Sequence, residues 1–331
     1  MITLKTGPSA VVPEGILVGN AQDRIAATGC TAILCPQGAV GAVAVRGAAP
    51  ATRETDLLAP ENTVHSVHAV VLSGGSAYGL DAAGGVVRYL EEQKSGFEFS
   101  GFVVPVVVGA SLFDLDIGSA ACRPNAQMGY LAADCASPNI TETGNVGAGT
   151  GASVGRFLGP SCAMKGGLGV ASVESGSLQV TALVAVNSLG NVADRDTGTY
   201  LAGARMNKDG KDSIVEPLDV LPDLLGGMVN ERTNTTIGAI LTNADLHKSE
   251  AQRVASMAHD GLARAIYPAH TSFDGDALFT LATGRVWAHQ DVVGALAALA
   301  VEQAVLNAVR SARDAYGLPA ASSFEGEHPL V

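Results

Sequence analysis

Thr233-Asn234-Thr235-Thr236-Ile237-Gly238-Ala239-Ile240-Leu241-Thr242 places two adjacent hydroxyls at the head of an apolar, β-prone run. The run reads as a buried strand, so a hydroxyl at its start is rigidly placed. A threonine hydroxyl is a poor nucleophile by itself. If the chain breaks before Thr235, the new α-amino group, with a reference pKa of about 7.7–8.0, becomes the neighbouring base, and one residue supplies both nucleophile and base. Asn234 suits such a break, because asparagine tolerates turn conformations that leave the next peptide strained and accessible. Taken alone, the triplet equally reads as an ordinary polar strand start. Asn234-Thr235-Thr236 and Asn139-Ile140-Thr141 also match the N-glycosylation sequon, which only a secreted chain would use.

Outward from this stretch, the composition sets limits. A chain of 331 residues, 47% hydrophobic and 16% charged, has room for one large domain or two smaller ones around an extensive core. Its 40 glycines carry no collagen-like period and point to tight turns and close backbone contacts. A net charge of −12 argues against nucleic acid or an anionic membrane as partner, since either asks for clustered Lys and Arg. Cys30, Cys35, Cys122, Cys135 and Cys162 are odd in number and lack C-x-x-C spacing, so they read as reduced thiols. The N-terminus has no apolar signal core and no uninterrupted 18-residue apolar run follows, which gives a cytoplasmic expectation.

Along the chain, residues 31–34 and 40–45 read as two short strands around Pro36-Gln37-Gly38, a hairpin. Residues 68–72 form a buried strand that ends at Ser73-Gly74-Gly75-Ser76. A helix is expected there, capped by Ser76, with Leu80, Ala83, Val87 and Leu90 on one face and Gly96 past its end. That Gly-Gly turn resembles a phosphate cradle, but neither a P-loop nor a dinucleotide fingerprint is present, and Gly147-Ala148-Gly149-Thr150-Gly151 follows a polar segment; close backbone packing is the better reading. Residues 102–108 form a strand broken by Pro105, and 134–162 a loop-rich passage. Lys165, alone among apolar and glycine residues, is either a solvated loop charge or a buried functional cation, and residue statistics favour the first. Residues 178–186 alternate as a strand with Val180, Ala182, Val184 and Val186 on one face, and Asn187 stands where it stops. Such an amide is a turn residue or a donor to a developing oxyanion.

Residues 195–233 are irregular and polar and read as a processing loop inside one domain. A helix over 249–266 follows, with a Ser249…Gln252 capping box and Val254, Met257, Ala258, Leu262 and Ala265 as its stripe. After Pro268, His270 to Asp276 form a polar turn ahead of a strand over 277–282. A last long helix spans about 291–315, ending near Gly317.

Taken together, Val71-Leu72-Ser73-Gly74-Gly75-Ser76-Ala77-Tyr78-Gly79-Leu80, Gly144-Asn145-Val146-Gly147-Ala148-Gly149-Thr150-Gly151, Lys165-Gly166-Gly167-Leu168-Gly169, Asn234-Thr235-Thr236-Ile237 and Phe273-Asp274-Gly275-Asp276 resemble the self-processing aminopeptidase/amidase family. Its members include L-aminopeptidase/D-amidase/esterases, β-aminopeptidases and nylon-oligomer (6-aminohexanoate-oligomer) hydrolases. The resemblance runs over nearly the whole chain, and five motifs in order are more specific than any one. Threonine after Asn234, with His270-Thr271 and Asp274-Gly275-Asp276, looks most similar to the nylon-oligomer branch, since the aminopeptidase branches use serine there.

The resemblance implies an α/β (α+β) protein folded as a four-layer αββα sandwich of the N-terminal-nucleophile type. It implies a single domain over 1–331 that cuts itself into a large fragment, 1–234, and a small one, 235–331, which stay associated. Thr235 is then the nucleophile, Lys165 lies near its hydroxyl, Asn187 contributes to the oxyanion hole, and Asp274 and Asp276 orient the freed amine. The physics agrees: a cation favours the alkoxide, an amide donor the tetrahedral oxyanion, and carboxylates a protonated amine. A calcium-like turn at Asp274-Gly275-Asp276 is the remaining alternative, and too few other oxygen ligands are spaced nearby. One departure is Phe113, which stands where several members carry a tyrosine that assists at the active site.

These implications define an amide-bond hydrolase working through an acyl-enzyme on Thr235, on a small peptide or amide, with no metal or organic cofactor, no nucleic acid and no membrane. A homo-oligomer, a tetramer of processed protomers, is expected. Aminopeptidase action on natural peptides, acyl transfer to an amine on the same scaffold, and a non-catalytic nucleotide-binding protein are the rival readings.

Overall fold

The computed structural model describes residues 2–208, 211–224 and 234–324. Its main strands are β1 (Ile2–Thr6), β2 (Leu17–Asp23), β3 (Thr28–Val45), β4 (Thr52–Arg53), β5 (Ser66–Ser73), β6 (Val107–Ser111), β7 (Gly167–Ser175), β8 (Leu178–Val186), β9 (Ile237–Asp245) and β10 (Ala277–Trp287). They hydrogen-bond in the order β1-β7-β8-β9-β10-β3-β5-β6-β4, with β2 also on β3.

The long strand β3 joins two stacked sheets. Its first half, residues 28–34, pairs with β2 on one side and β5 on the other, while residues 40–45 pair with β10. The ladder slips between Leu34 and Ala39, where Pro36 cannot donate and Gly38 takes a positive φ of 80°. The expected hairpin is therefore one bent strand: the Pro-Gln-Gly break bulges the chain without reversing it.

Side chains alternate about these sheets and make three apolar layers. Ile33, Val70, Leu72, Leu183, Ile237, Leu241 and Phe279 fill the space between the sheets. Cys30, Leu34, Ala69 and Val71 face the helices α1 (Ala82–Glu92) and α2 (Ala126–Asp134). Val180, Ala182, Val184, Val186, Ile240 and Leu278 face α3 (Lys248–Ala265) and α4 (Gln290–Ser311). The result is the four-layer αββα sandwich. Each fully buried Leu, Ile or Phe contributes about 1.5–3 kcal/mol, and truncating Phe279 in the middle layer should cost about 3–5 kcal/mol.

Small residues let the outer layer close. An added Cβ on Gly261 of α3 would come to 2.2 Å from the Ala298 carbonyl of α4, so these helices touch backbone to backbone. Helix α4 is long and apolar enough to cross a membrane, and 67% of that stretch is buried in this layer.

Local details correct several expectations. Helix α1 begins at Ala82, not Ser76: a 3-10 segment, Ser76–Asp81, precedes it, and Ser76 has φ 55° and caps nothing. Helix α3 begins one residue early, and Glu250 accepts from His247 N at 2.8 Å where a Ser249…Gln252 box was expected. Residues 102–108 split at Pro105 into Phe102–Val104, which pairs with Phe97–Phe99, and β6. Strand β1 and helix α2 had no clear periodicity in the sequence. Part of the expected processing loop, 225–233, lies outside the described residues.

Candidate active site

Strand β9 is central in its sheet, antiparallel to β8 and parallel to β10. The C-terminal end of β8 and the approach to β10 therefore both meet the head of β9. That topology brings together Asn187, Asn234-Thr235-Thr236 and Asp274-Gly275-Asp276, which are far apart in sequence.

Asn234 bridges to Asp274, and the ladder continues through Gly275 N to Asn234 O at 3.0 Å and Ala277 N to Thr236 O at 3.2 Å. On the other side, Thr235 N donates to Asn187 O at 2.7 Å. Thr235 is 5% exposed, and its hydroxyl donates to the Asn234 carbonyl, the acyl group of the peptide expected to break. Thr236 is fully buried, with a hydroxyl that has no partner among the described residues.

The two carboxylates serve different neighbours. Asp276 accepts from Thr236 N at 2.8 Å through Oδ1, and from His270 N and Nδ1 at 3.2 and 2.7 Å through Oδ2. Asp274 accepts from Thr271 N and Oγ1 at 3.0 and 2.6 Å and from Leu189 N at 3.3 Å. Burial, and then the charge of Asp276, push Asp274 up to about 6. The hydrogen-bond partner of Thr235 N is the Asn187 carbonyl, and the Asp276 carboxylate holds the next amide, Thr236 N.

Lys165 is fully buried, so the solvated-loop reading is wrong. It precedes β7, whose Gly167 pairs with Val186 at the end of β8, and so lies beside Asn187. Its Nζ donates to Thr150 O at 3.1 Å and Ala152 O at 2.5 Å. Burial lowers its pKa to about 7, opposed by buried Asp114, which burial in turn raises to about 6. Lys165 is cross-strand partner to Ser153, whose N–H donates to Asn187 Oδ1 at 3.0 Å. Asn187 Nδ2 donates one proton to Phe113 O at 3.0 Å, which leaves its second proton for another acceptor.

Several neighbours of these residues had no role assigned from sequence. An added Cβ on Gly275 would lie 2.8 Å from Thr235 Oγ1, so the glycine between the aspartates makes room for the hydroxyl. Arg156, buried and paired with Asp116, donates from Nη1 to Ser153 Oγ at 2.8 Å and so braces the residue that holds Asn187. From sequence, His270 stands in a turn and, with Thr271, in the resemblance to the nylon-oligomer branch, with no role of its own.

The glycine turns are satisfied by the chain itself. Gly75 N donates to Asp114 Oδ1 at 2.7 Å, Gly147 N to Gln22 Oε1 at 3.0 Å and Ala148 N to Thr31 Oγ1 at 3.1 Å. A buried carboxylate at Gly74-Gly75 repels phosphate, which disfavours the nucleotide-binding reading.

A buried threonine hydroxyl thus stands at the head of a central strand of an αββα sandwich, its backbone N–H held by Asn187 and its side chain set against Asp274-Gly275-Asp276. The model of peptidase family S58 matches residues 12–321, and the chain belongs to that family. It is an amide-bond hydrolase. An uncharacterised aminopeptidase of Mycobacterium leprae is 44% identical, with 88% of this chain and 85% of the relative aligned. The 6-aminohexanoate-oligomer endohydrolase of Kocuria sp. is 31% identical over 89% of this chain and 84% of its own length. The L-aminopeptidase D-Ala-esterase/amidase from Ochrobactrum anthropi, described as a variant of the Ntn hydrolase fold, superposes with a TM-score of 0.68 at 21% identity, covering 94% of this chain and 88% of that one. A Burkholderia sp. β-aminopeptidase gives 0.68 at 19% identity, over 99% of this chain and 92% of its own.

Proposed function

We propose that the protein is a self-processing N-terminal-threonine hydrolase. The observation that carries this reading is the Thr235 hydroxyl against the Asn234 carbonyl at the head of β9. Thr235 Oγ1 attacks the Asn234 carbonyl carbon, the Asn234–Thr235 C–N bond breaks, and the nitrogen leaves as the α-amine. Water then hydrolyses the Asn234 ester, giving fragments 1–234 and 235–331 of one domain.

In turnover the Thr235 amine accepts the hydroxyl proton as Oγ1 attacks a substrate carbonyl, the substrate amine leaves with a proton, and water releases the acyl group. Lys165 favours the developing alkoxide, Asn187 uses its free amide proton on the oxyanion, and Asp274 and Asp276 stabilise the protonated amine. The substrate is a short peptide or amide; an aminohexanoate oligomer is the specific candidate that the 31% identical endohydrolase supports. A screen of peptide, β-peptide and aminohexanoate amides, with and without an added amine acceptor, separates hydrolysis from acyl transfer and fixes the class. The net charge of −12 argues against nucleic acid or an anionic membrane as partner, and a cytoplasmic location is part of the proposal. The proposed assembly is a homotetramer of processed protomers, which light scattering tests. Intact mass of the wild type beside Thr235→Ala tests the nucleophile itself.

A further inference from the structure

His270 and His259 form a pair that the Thr235 chemistry leaves unused. His270 lies in the turn before β10 with φ 58°, a conformation in which histidine and asparagine are enriched. Its backbone N–H and Nδ1 both reach Asp276 Oδ2. A carboxylate oxygen only accepts, so Nδ1 carries the proton. The other oxygen of the same carboxylate holds Thr236 N. His270 is thus one hydrogen bond behind the carboxylate that flanks the nucleophile.

His259 of α3 stacks edge-on against His270, ring centres 4.9 Å apart, and its Nε2 donates to Ala44 O at 2.9 Å. Burial lowers its pKa to about 4, so it stays neutral. His259 Nδ1 and His270 Nε2 are both buried without a partner among the described residues. The groups facing this ring are Asp276 and His259.

We infer that His270 is a positioning residue for the reaction: by donating twice to Asp276 Oδ2 it fixes the carboxylate whose other oxygen holds Thr236 N, and so sets where that carboxylate stands relative to the Thr235 amine.

The inference rests on the Thr235 reading, so Thr235→Ala is the control. The experiment measures kcat and KM for alanine 4-nitroanilide, and self-cleavage by intact mass, for wild type, His270→Asn and His270→Ala. Asparagine accepts the positive φ and supplies a donor to Asp276. It should cleave itself and keep kcat within about fivefold of wild type. His270→Ala should lose about tenfold or more in kcat with KM little changed. A His270→Asn protein that neither cleaves nor turns over overturns the inference, as does a His270→Ala protein with wild-type kcat or with its loss in KM. Turnover by Thr235→Ala instead removes the nucleophile reading beneath it.

Discussion

The N–H of Thr235 donates to the backbone carbonyl of Asn187 at 2.7 Å, tying the head of β9 to the end of β8. This contact uses the backbone of Asn187, and its side chain, held by Ser153 N and Phe113 O, keeps one amide proton for a separate task. Asn187→Ala should keep Thr235 in place and lose kcat by about 10²–10³-fold with little change in KM, the usual cost of one oxyanion donor. Steady-state kinetics on the processed protein checks it, and an equal loss through KM would show a binding role instead.

Gly275→Ala should block self-cleavage. Its Cβ would meet Ala49 O at 2.6 Å and Thr235 Oγ1 at 2.8 Å, displacing the hydroxyl and costing about 1–3 kcal/mol of stability through overpacking. Intact mass and a thermal scan read the two effects.

The pH dependence of stability separates the buried charges. Lys165 drops from 10.5 to about 7 on folding, so the unfolded chain binds more protons between those values and stability rises with pH across that window. Asp114 rises from 3.8 to about 6, so its contribution is present at acid pH and is lost as pH climbs through about 6. Lys165→Met should flatten the alkaline rise and Asp114→Asn should reduce the acid-side decline, measured by urea unfolding across the pH range.

Arg156→Met should destabilise the protein by about 3 kcal/mol, the low end for breaking a buried pair, since Asp116 keeps some solvent. It should also lower kcat, because Ser153 loses the guanidinium that braces it against Asn187. Unchanged kinetics in the folded variant would limit Arg156 to stability.

What the sequence revealed follows from what periodicity can carry. Residues 178–186 alternate, and the strand came out with those bounds. The motif residues Lys165, Asn187, Thr235, Asp274 and Asp276 were legible through resemblance, since no local pattern says that three strand ends converge. Strand β3 was misread because Pro36-Gln37-Gly38 suits a reversal and a bulge equally; pairing with both β5 and β10 decides between them. Lys165 was misjudged because burial of a lone lysine depends on the distant carbonyls of Thr150 and Ala152. Arg156 makes tertiary contacts, to Ser153 and Asp116, that leave no trace in spacing.

Of the two adjacent threonines ahead of β9, it is the Thr235 hydroxyl that lies against the Asn234 carbonyl. Thr236→Ala should still cleave at the same bond, and Thr235→Ser should process and retain some activity, as it keeps the hydroxyl and loses only the methyl that fixes the rotamer. The most direct measurement is the intact mass of purified wild type and Thr235→Ala after incubation. The account predicts fragments 1–234 and 235–331 for wild type and one uncut, inactive chain for Thr235→Ala. A Thr235→Ala protein that still divides at Asn234–Thr235 and hydrolyses amides would contradict it.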